Sequence, residues 1–591
     1  MKLLDEIRRR KVLQGAVAYA VAGWLLIQLA IAFEDSLELP QYVDRWTTII
    51  VLAGFPVAVL ISWFFDVSLT GISFTKKETS KERKVSSYPS PPKNKAAPKH
   101  SIAVLPFSDM SQQQDQEYLG DGVAEEILNA LVKVTPLKVS GRTSSFSFKG
   151  KGRDIQDIGR ELNVANVLEG SVRKQGDRVR ITAQLIKSSD GFHIWSETYD
   201  GELNDIFELQ DRIAKSIVHA LEIALEVDKI RLVAKKTSDL EAYEYFLRGR
   251  KLAYKQDGAG VLAEAIGYLQ RAVELDPEFS DAWSMLSSAH FWVLEHSVAK
   301  NWQDHINEGS RAARRAFDLE KTRFHTYGAM YTVDLMEGHF GDALDRLTQG
   351  LAAEPQLPSS KLFLGVNLAA IGLVEEGSTI ISEALEQDPR SASLVMVSGH
   401  PLWANGEVEK AKAAYLKGFE LGYYGGGIAH AWLLSNVVGA AEAIRFFNDH
   451  FSDMGPIVKK QLRNPLLRFG FIEGVFKKRA WCRWVISKVL ERQLRSQDRP
   501  PSTDLTLGLL YAGDARLFLD ALRNKPHPYM SSPLMHLWLP TPESKSVRMH
   551  PDFPKFANDI GLVKAWQTYG WPKQIRPYPG TDGSNLQFTV S

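Results

Sequence analysis

A single cysteine, Cys482, stands in 591 residues. No disulfide can close within one chain, and no thiolate cluster can hold a metal. Between Trp481 and Arg483, this thiol reads as packed or idle rather than nucleophilic, and so little cysteine suits a reducing compartment. Net charge is also nearly absent, with 71 basic against 70 acidic side chains, which excludes a polyanion-binding footprint spread over the whole surface. The phosphate-binding spacing of a P-loop is missing: Gly150-Lys151-Gly152 reads as a basic surface turn beside Lys149 and Arg153. His290 and His296 do not have the three- or four-residue spacing of helical metal ligands. No catalytic, cofactor-binding or metal-ligating residue is assigned.

Long apolar runs are confined to the amino-terminal end. After a basic start (1–11, with Arg8, Arg9, Arg10 and Lys11), Val12 to Phe33 carries no charge, and Thr47 to Phe65 carries none either. Each approaches the ~20 residues that cross about 30 Å of hydrocarbon. Trp46 and Trp63 stand near the ends of the second run, as interfacial rings do. These features predict transmembrane helices at 12–33 and 47–65. Ala30-Ile31-Ala32 could instead be a signal-peptidase site, but the run before it is longer than a signal core. Lys76, Lys77, Lys81, Arg83 and Lys84 follow the second run, so the positive-inside rule predicts a bacterial inner-membrane protein with cytoplasmic soluble domains, the periplasm being the alternative. Residues 66–100, with Pro89, Pro91, Pro92 and Pro98, read as a basic tether in contact with solvent or the lipid bilayer.

From Ser101 the pattern becomes that of a folded α/β domain. Ser101 to Phe107 suits a buried strand, and Glu117 to Val134 spaces Val123, Ile127, Leu131 and Val134 as one helical face. Leu137 to Ser140 suits a second strand, and Asp154 a helix N-cap. Alternating residues then run through 167–173, 179–185 and 193–199. Turns at Gln175-Gly176-Asp177 and Ser189-Asp190-Gly191 join them into an antiparallel meander. A closing helix from Asn204 to about Val227 stripes Ile206, Leu209, Ile213 and Ile217. A mixed sheet follows from these elements. Asp121, Glu125 and Glu126 could serve acid–base chemistry, although acids early in a helix also answer its dipole.

The phrases Ser101 to Phe107, Glu117-Tyr118-Leu119-Gly120-Asp121-Gly122, Arg142-Thr143-Ser144-Ser145-Phe146, Ile158 to Leu162 and Leu168 to Arg173 resemble the TolB amino-terminal-like domain, over 101–227. That resemblance implies a noncatalytic interaction module, found beside tetratricopeptide repeats, some nucleotide cyclases and membrane-bound transcription regulators. It carries no site residue to this chain.

Recurring helix-closing phrases follow: Glu274-Leu275-Asp276-Pro277, Ala353-Glu354-Pro355 and Gln387-Asp388-Pro389. The later ones recur at about 34 residues, and 240–425 resembles a tetratricopeptide array of about five units. Such an array predicts a groove for a protein or peptide partner, or a surface that docks on the chain's own neighbouring regions. The sequence does not identify the binding residues. Residues 426–591 read as a helical extension and cap. Within it, Arg463, Arg468, Lys477, Lys478, Arg479 and Arg483 accompany Phe469, Phe471 and Trp481. Nucleic-acid binding is weighed there against a solvated helix face over core aromatics, and the second is preferred, so no nucleic acid is expected. The expectation is a membrane-anchored scaffold and not an enzyme. An accessory or degenerate relative of cyclase or regulator signalling proteins is the alternative.

Overall fold

The computed structural model describes residues 51, 65–68, 71–74, 97–134, 137–221, 236–237, 239–255, 259–296, 301–422, 427–451, 459, 462–496, 500–524, 528–579 and 586–590. The chain divides into residues 1–85 and 86–591. In the first unit, β1 (Phe65–Ser68) and β2 (Gly71–Phe74) form an antiparallel hairpin.

The expected spans 12–33 and 47–65 lie outside the described residues, apart from Val51 and Phe65. Among the described residues no helix is long and apolar enough to cross a membrane. The inner-membrane location drawn from the sequence is therefore corrected. An apolar run is necessary for a spanning helix but does not make one, and Phe65, the last residue of the second run, opens a strand instead.

The second unit opens with a mixed α/β domain. Its strands are β3 (Ser101–Val104), β4 (Ser108–Asp109), β5 (Lys138–Val139), β6 (Asn166–Gln175), β7 (Arg178–Lys187) and β8 (His193–Glu202). β3 runs parallel to β5 and β6, β4 runs parallel to β6, and β6-β7-β8 form the antiparallel meander. Gly176 and Gly191 take positive φ of 59° and 77° at the two meander turns, where a side chain would be strained. Three helices fill the connections: α1 (Glu117–Val132), α2 (Arg142–Phe146) and α3 (Ile155–Leu162). The Asp154 carboxylate caps α3 by accepting from Gln156 N at 2.9 Å. The closing helix α4 (Ile206–Ala220) buries Ile206, Leu209, Ile213 and Ile217 on one face. Each contributes about 1.5–3 kcal/mol as an upper bound.

Paired helices follow: α5 (Leu240–Lys255) with α6 (Ala259–Leu275), α7 (Ser280–His296) with α8 (Trp302–Leu319), and α9 (Phe324–Met336) with α10 (Phe340–Ala353). Next come α11 (Pro358–Ala370) with α12 (Val374–Gln387), α13 (Ala392–Ala404) with α14 (Val408–Glu420), and α15 (Gly427–Val437) with α16 (Ala440–Asp449). This is a tetratricopeptide-like solenoid. Its repeat is visible in one local device. Gly338, Gly372 and Gly406 all take left-handed φ between 80° and 91°. After each, the next amide reaches back five residues: His339 to Asp334, Leu373 to Leu368 and Glu407 to Leu402. Only glycine accepts that backbone cheaply, so the sequence period and the geometric period coincide.

The carboxy-terminal region continues as α17 (Pro465–Phe471), a π-helical turn (Ile472–Phe476), α18 (Ala480–Ser496), α19 (Thr503–Tyr511) and α20 (Ala515–Asn524). Then come α21 (Ser531–His536), α22 (Pro542–Arg548), α23 (Phe553–Asp559), α24 (Leu562–Tyr569) and the hairpin of β9 (Ile575–Pro579) and β10 (Leu586–Val590). Gly513, at φ 80°, repeats the turn device between α19 and α20. One apolar core joins the solenoid from α9 onward to this region, and another joins the α/β domain to α5–α8.

Candidate partner-binding surfaces

The α/β domain grips the solenoid at two places. At the first, α1 packs on α5 closely enough that a Cβ on Gly122 would lie 2.8 Å from Leu247 Cδ2. Buried beside this contact are Glu125 and Glu126. Arg142 Nε lies 2.9 Å from Glu125, and Arg250 Nη1 lies 3.4 Å from Glu125 and 3.7 Å from Glu126. Lys236 Nζ lies 3.0 Å from Glu126 and also pairs with Asp281, whose other oxygen is 2.8 Å from His325 Nε2. Burial pushes the Glu125 carboxyl up, but Arg250 and Arg142 outweigh it and hold the group below the usual range. Burial also pushes Asp281 up, and Lys236 and His325 likewise overcome it, leaving it well below that range. The sequence left open an acid–base role for Asp121, Glu125 and Glu126. In the structure Asp121 pairs with Lys149 at 2.6 Å, and the two glutamates are spent on cations of the junction.

The second grip uses the phrase Arg142 to Phe146. Gly141 N donates to Gln387 O at 2.6 Å, Ser144 N to Asp388 Oδ1 at 2.7 Å, and Arg390 N to Ser144 Oγ at 2.7 Å. A Cβ on Gly141 would lie 2.3 Å from Asp388 Cγ, so this approach admits no side chain. The Arg390 guanidinium lies 4.7 Å from the Phe148 ring centre. The seat is the Asp388-Pro389 turn, one of the recurring phrases that close each pair. Nearby opens a cavity of about 530 Å³, walled by Val132, Leu137, Lys138, Lys361, Glu383 and Glu386. Two lysines and two glutamates line it, Lys361 pairing with Glu383 at 3.1 Å, so no ligand charge is selected.

The carboxy-terminal region holds the first helices of the later pairs. Asn367 Oδ1 on α11 accepts from Tyr331 of α9 at 3.1 Å and from Ser531 of α21 at 2.6 Å. Trp538 Nε1 donates to Ala370 O and Trp566 Nε1 to Ile371 O, both at 2.7 Å, satisfying carbonyls at the end of α11. His400 and His536 bring their Nε2 atoms within 3.3 Å, and Trp432 stacks on Tyr511 at 4.2 Å. Burial holds His536 down to about 4 and His430 down to about 3. The docking of the array on its own neighbours, weighed in the sequence against partner binding, thus occurs on both sides.

The basic segment after 460 divides. Phe471 is in the core, as expected of a solvated face over buried aromatics, but Phe469 and Trp481 are exposed. So is Trp484, which sequence reasoning missed. Its position three residues after Trp481 was the available signal. Cys482 is buried, and His290 meets a neighbour the sequence did not suggest, His305, at 2.9 Å between Nδ1 atoms.

A family described as "HilA/YgeH-like transcriptional regulator, second domain" matches residues 98–216, which cover the α/β domain up to α4. A protein of Rhizobium meliloti (strain 1021) named "Putative adenylate cyclase 3" is 39% identical over 231 residues, covering 39% of each chain. The match therefore spans well under half of that relative. Among solved structures, YrrB, described as a TPR protein with an unusual peptide-binding site, is 18% identical. It covers 31% of this chain and 86% of its own, with a TM-score of 0.21. The thermophilic TPR protein TTC0263 of Thermus thermophilus is 16% identical, covers 36% of this chain and 96% of its own, and has a TM-score of 0.24.

Proposed function

We propose that this chain is a noncatalytic scaffold that recruits a protein or peptide partner through its solenoid, with the α/β domain fixed to it as a TolB-like interaction module. The observation that carries this reading is the engagement of Ala370, Ile371 and Asn367 by residues 531–566. The first-helix face already binds helical and turn segments of its own chain, through main-chain carbonyls and a buried amide. Where residues 531–566 leave the solenoid uncovered, a foreign segment docks by the same chemistry. The test is affinity capture with the full chain followed by cross-linking mass spectrometry. Cross-links from one partner onto α5–α16 are the expected result. Partner cross-links confined to the α/β domain would overturn the solenoid assignment.

A second reading, an accessory of nucleotide cyclase signalling, is favoured by the 39% identity to a relative named as a cyclase. The two part on one assay. On the accessory reading, added chain changes the rate at which a nucleotide cyclase forms cyclic AMP from ATP and Mg²⁺, and on the scaffold reading it does not. A rate change that tracks the purified chain would reject the scaffold reading, and turnover by the chain alone would reject both.

A further inference from the structure

Residues 463–495 hold nine lysines and arginines against two glutamates, in a chain whose totals are 71 and 70. Much of this charge is already committed: Lys477 and Arg479 to Glu473, Arg483 to Glu543, and Lys478 to Asn436. Three of the remaining five, together with two indoles, form a line. Along α18, Trp481, Trp484, Lys488, Arg492 and Arg495 are all exposed, at helical spacings of three and four that keep them on one face. The two indoles are 74% and 59% exposed, while Cys482, Ile486 and Leu490 of the same helix are buried. The adjoining α17 turns Phe471 inward but leaves Leu466 and Phe469 out. Lys488 and Arg495 share one carboxylate, Glu491, so the far end of the row stays positive.

We propose that this stripe binds single-stranded nucleic acid, its bases stacked on Trp481 and Trp484 and its phosphates on Lys488, Arg492 and Arg495. Charge complementarity selects a polyanion, and the rings select one with accessible π-faces. A duplex hides those faces, whereas a single strand presents them. The row is about 21 Å long and one side chain wide, which suits a chain rather than a plane. Stacking is indifferent to base identity, so the site is sequence-tolerant. This proposal rests on α17 and α18 alone and does not depend on the scaffold reading of the solenoid.

The experiment is fluorescence anisotropy of the full chain with fluorescein-labelled dT20 and U20. Micromolar binding in 50 mM NaCl is expected, weakening about 20-fold in 200 mM, as three phosphate contacts on a single strand require. The double variant W481A/W484A lowers affinity about 10-fold or more with an unchanged melting temperature. R492Q/R495Q flattens the salt dependence. Three results would overturn the proposal: no anisotropy change at 100 μM protein in 50 mM NaCl; equal affinity of W481A/W484A and the parent; or sedimentation with 1:3 phosphatidylglycerol–phosphatidylcholine vesicles under conditions where neither oligonucleotide binds.

Discussion

The solenoid is held on two sides by different chemistry. Toward the α/β domain the junction is a buried mesh of Glu125, Glu126, Asp281, Lys236 and Arg250 set beside the apolar core that the domain shares with α5–α8. Toward the carboxy-terminal region it is aromatic, with indole N–H groups spent on main-chain carbonyls. The first is strong only while every member is present, because each lost partner strands a charge away from water. The second adds up from dispersion and area, and it degrades ring by ring. One chain thus shows two ways to fix a repeat array, one all-or-none and one graded.

Four measurements would sharpen that contrast, from the largest effect to the smallest. Arg250→Ala leaves two buried carboxylates short of a cation and costs about 3–5 kcal/mol, read as lost hydrogen-exchange protection in α1 and α5. Unchanged protection there would mean the mesh is ornamental.

Acidification separates the two sides by sign. His430 and His536 are held neutral well below the ordinary histidine range, so the unfolded chain binds more protons than the folded one below about pH 6.5. The contribution of these histidines is full above that pH and falls toward pH 4, by about 2 kcal/mol per histidine at pH 5, offset in part by Asp504, which burial pushes up to about 7. The carboxylates Glu125 and Asp281 are depressed, so their contribution persists until the pH falls below the usual carboxylate range. Limited proteolysis at pH 5 therefore cuts within 502–570 before it cuts within 101–255. The reverse order would contradict this assignment.

Trp538→Phe keeps most of the ring but leaves the Ala370 carbonyl without its donor. It costs about 1–3 kcal/mol in the urea transition that reports the carboxy-terminal region. Last, Lys573→Ala removes an exposed pair with Glu375 and shifts the same transition by under about 1 kcal/mol. A larger shift would show that the graded side also leans on charge.

Period and turn chemistry made the elements legible in the sequence. The glycine turns of the meander, the Asp154 cap and the 34-residue rhythm all act locally, within reach of a reading window. The junctions are another matter. Glu126 meets Lys236, 110 residues away, and Ser144 meets Asp388, 244 residues away. No periodicity encodes which solvated-looking charge will be buried against which. Glu125 and Glu126 read as helix-dipole partners or acid–base groups because Arg250 and Lys236 lie beyond the α/β domain. The exposure of Phe469 and Trp481 is hidden from the sequence for a related reason. Aromatics default to the core, and only packing reveals that Phe471 faces in while Trp481 faces out.

The glycine turns have one more consequence. Gly338, Gly372 and Gly406 are interchangeable as local geometry, yet they are not equivalent in place. Beside Gly372 lie Trp538 and Pro572, each within 2.8 Å of where a Cβ would be, whereas nothing approaches Gly406 within 4 Å. The cap therefore distinguishes the rungs: it seats on Gly372 and leaves Gly406 open. Deleting a single 34-residue unit ahead of that rung would keep the ladder intact while shortening the distance between the α/β domain's two grips by one step. The span of the array from α5 to α12 is thus fixed, at one end by Arg250 and at the other by Asp388.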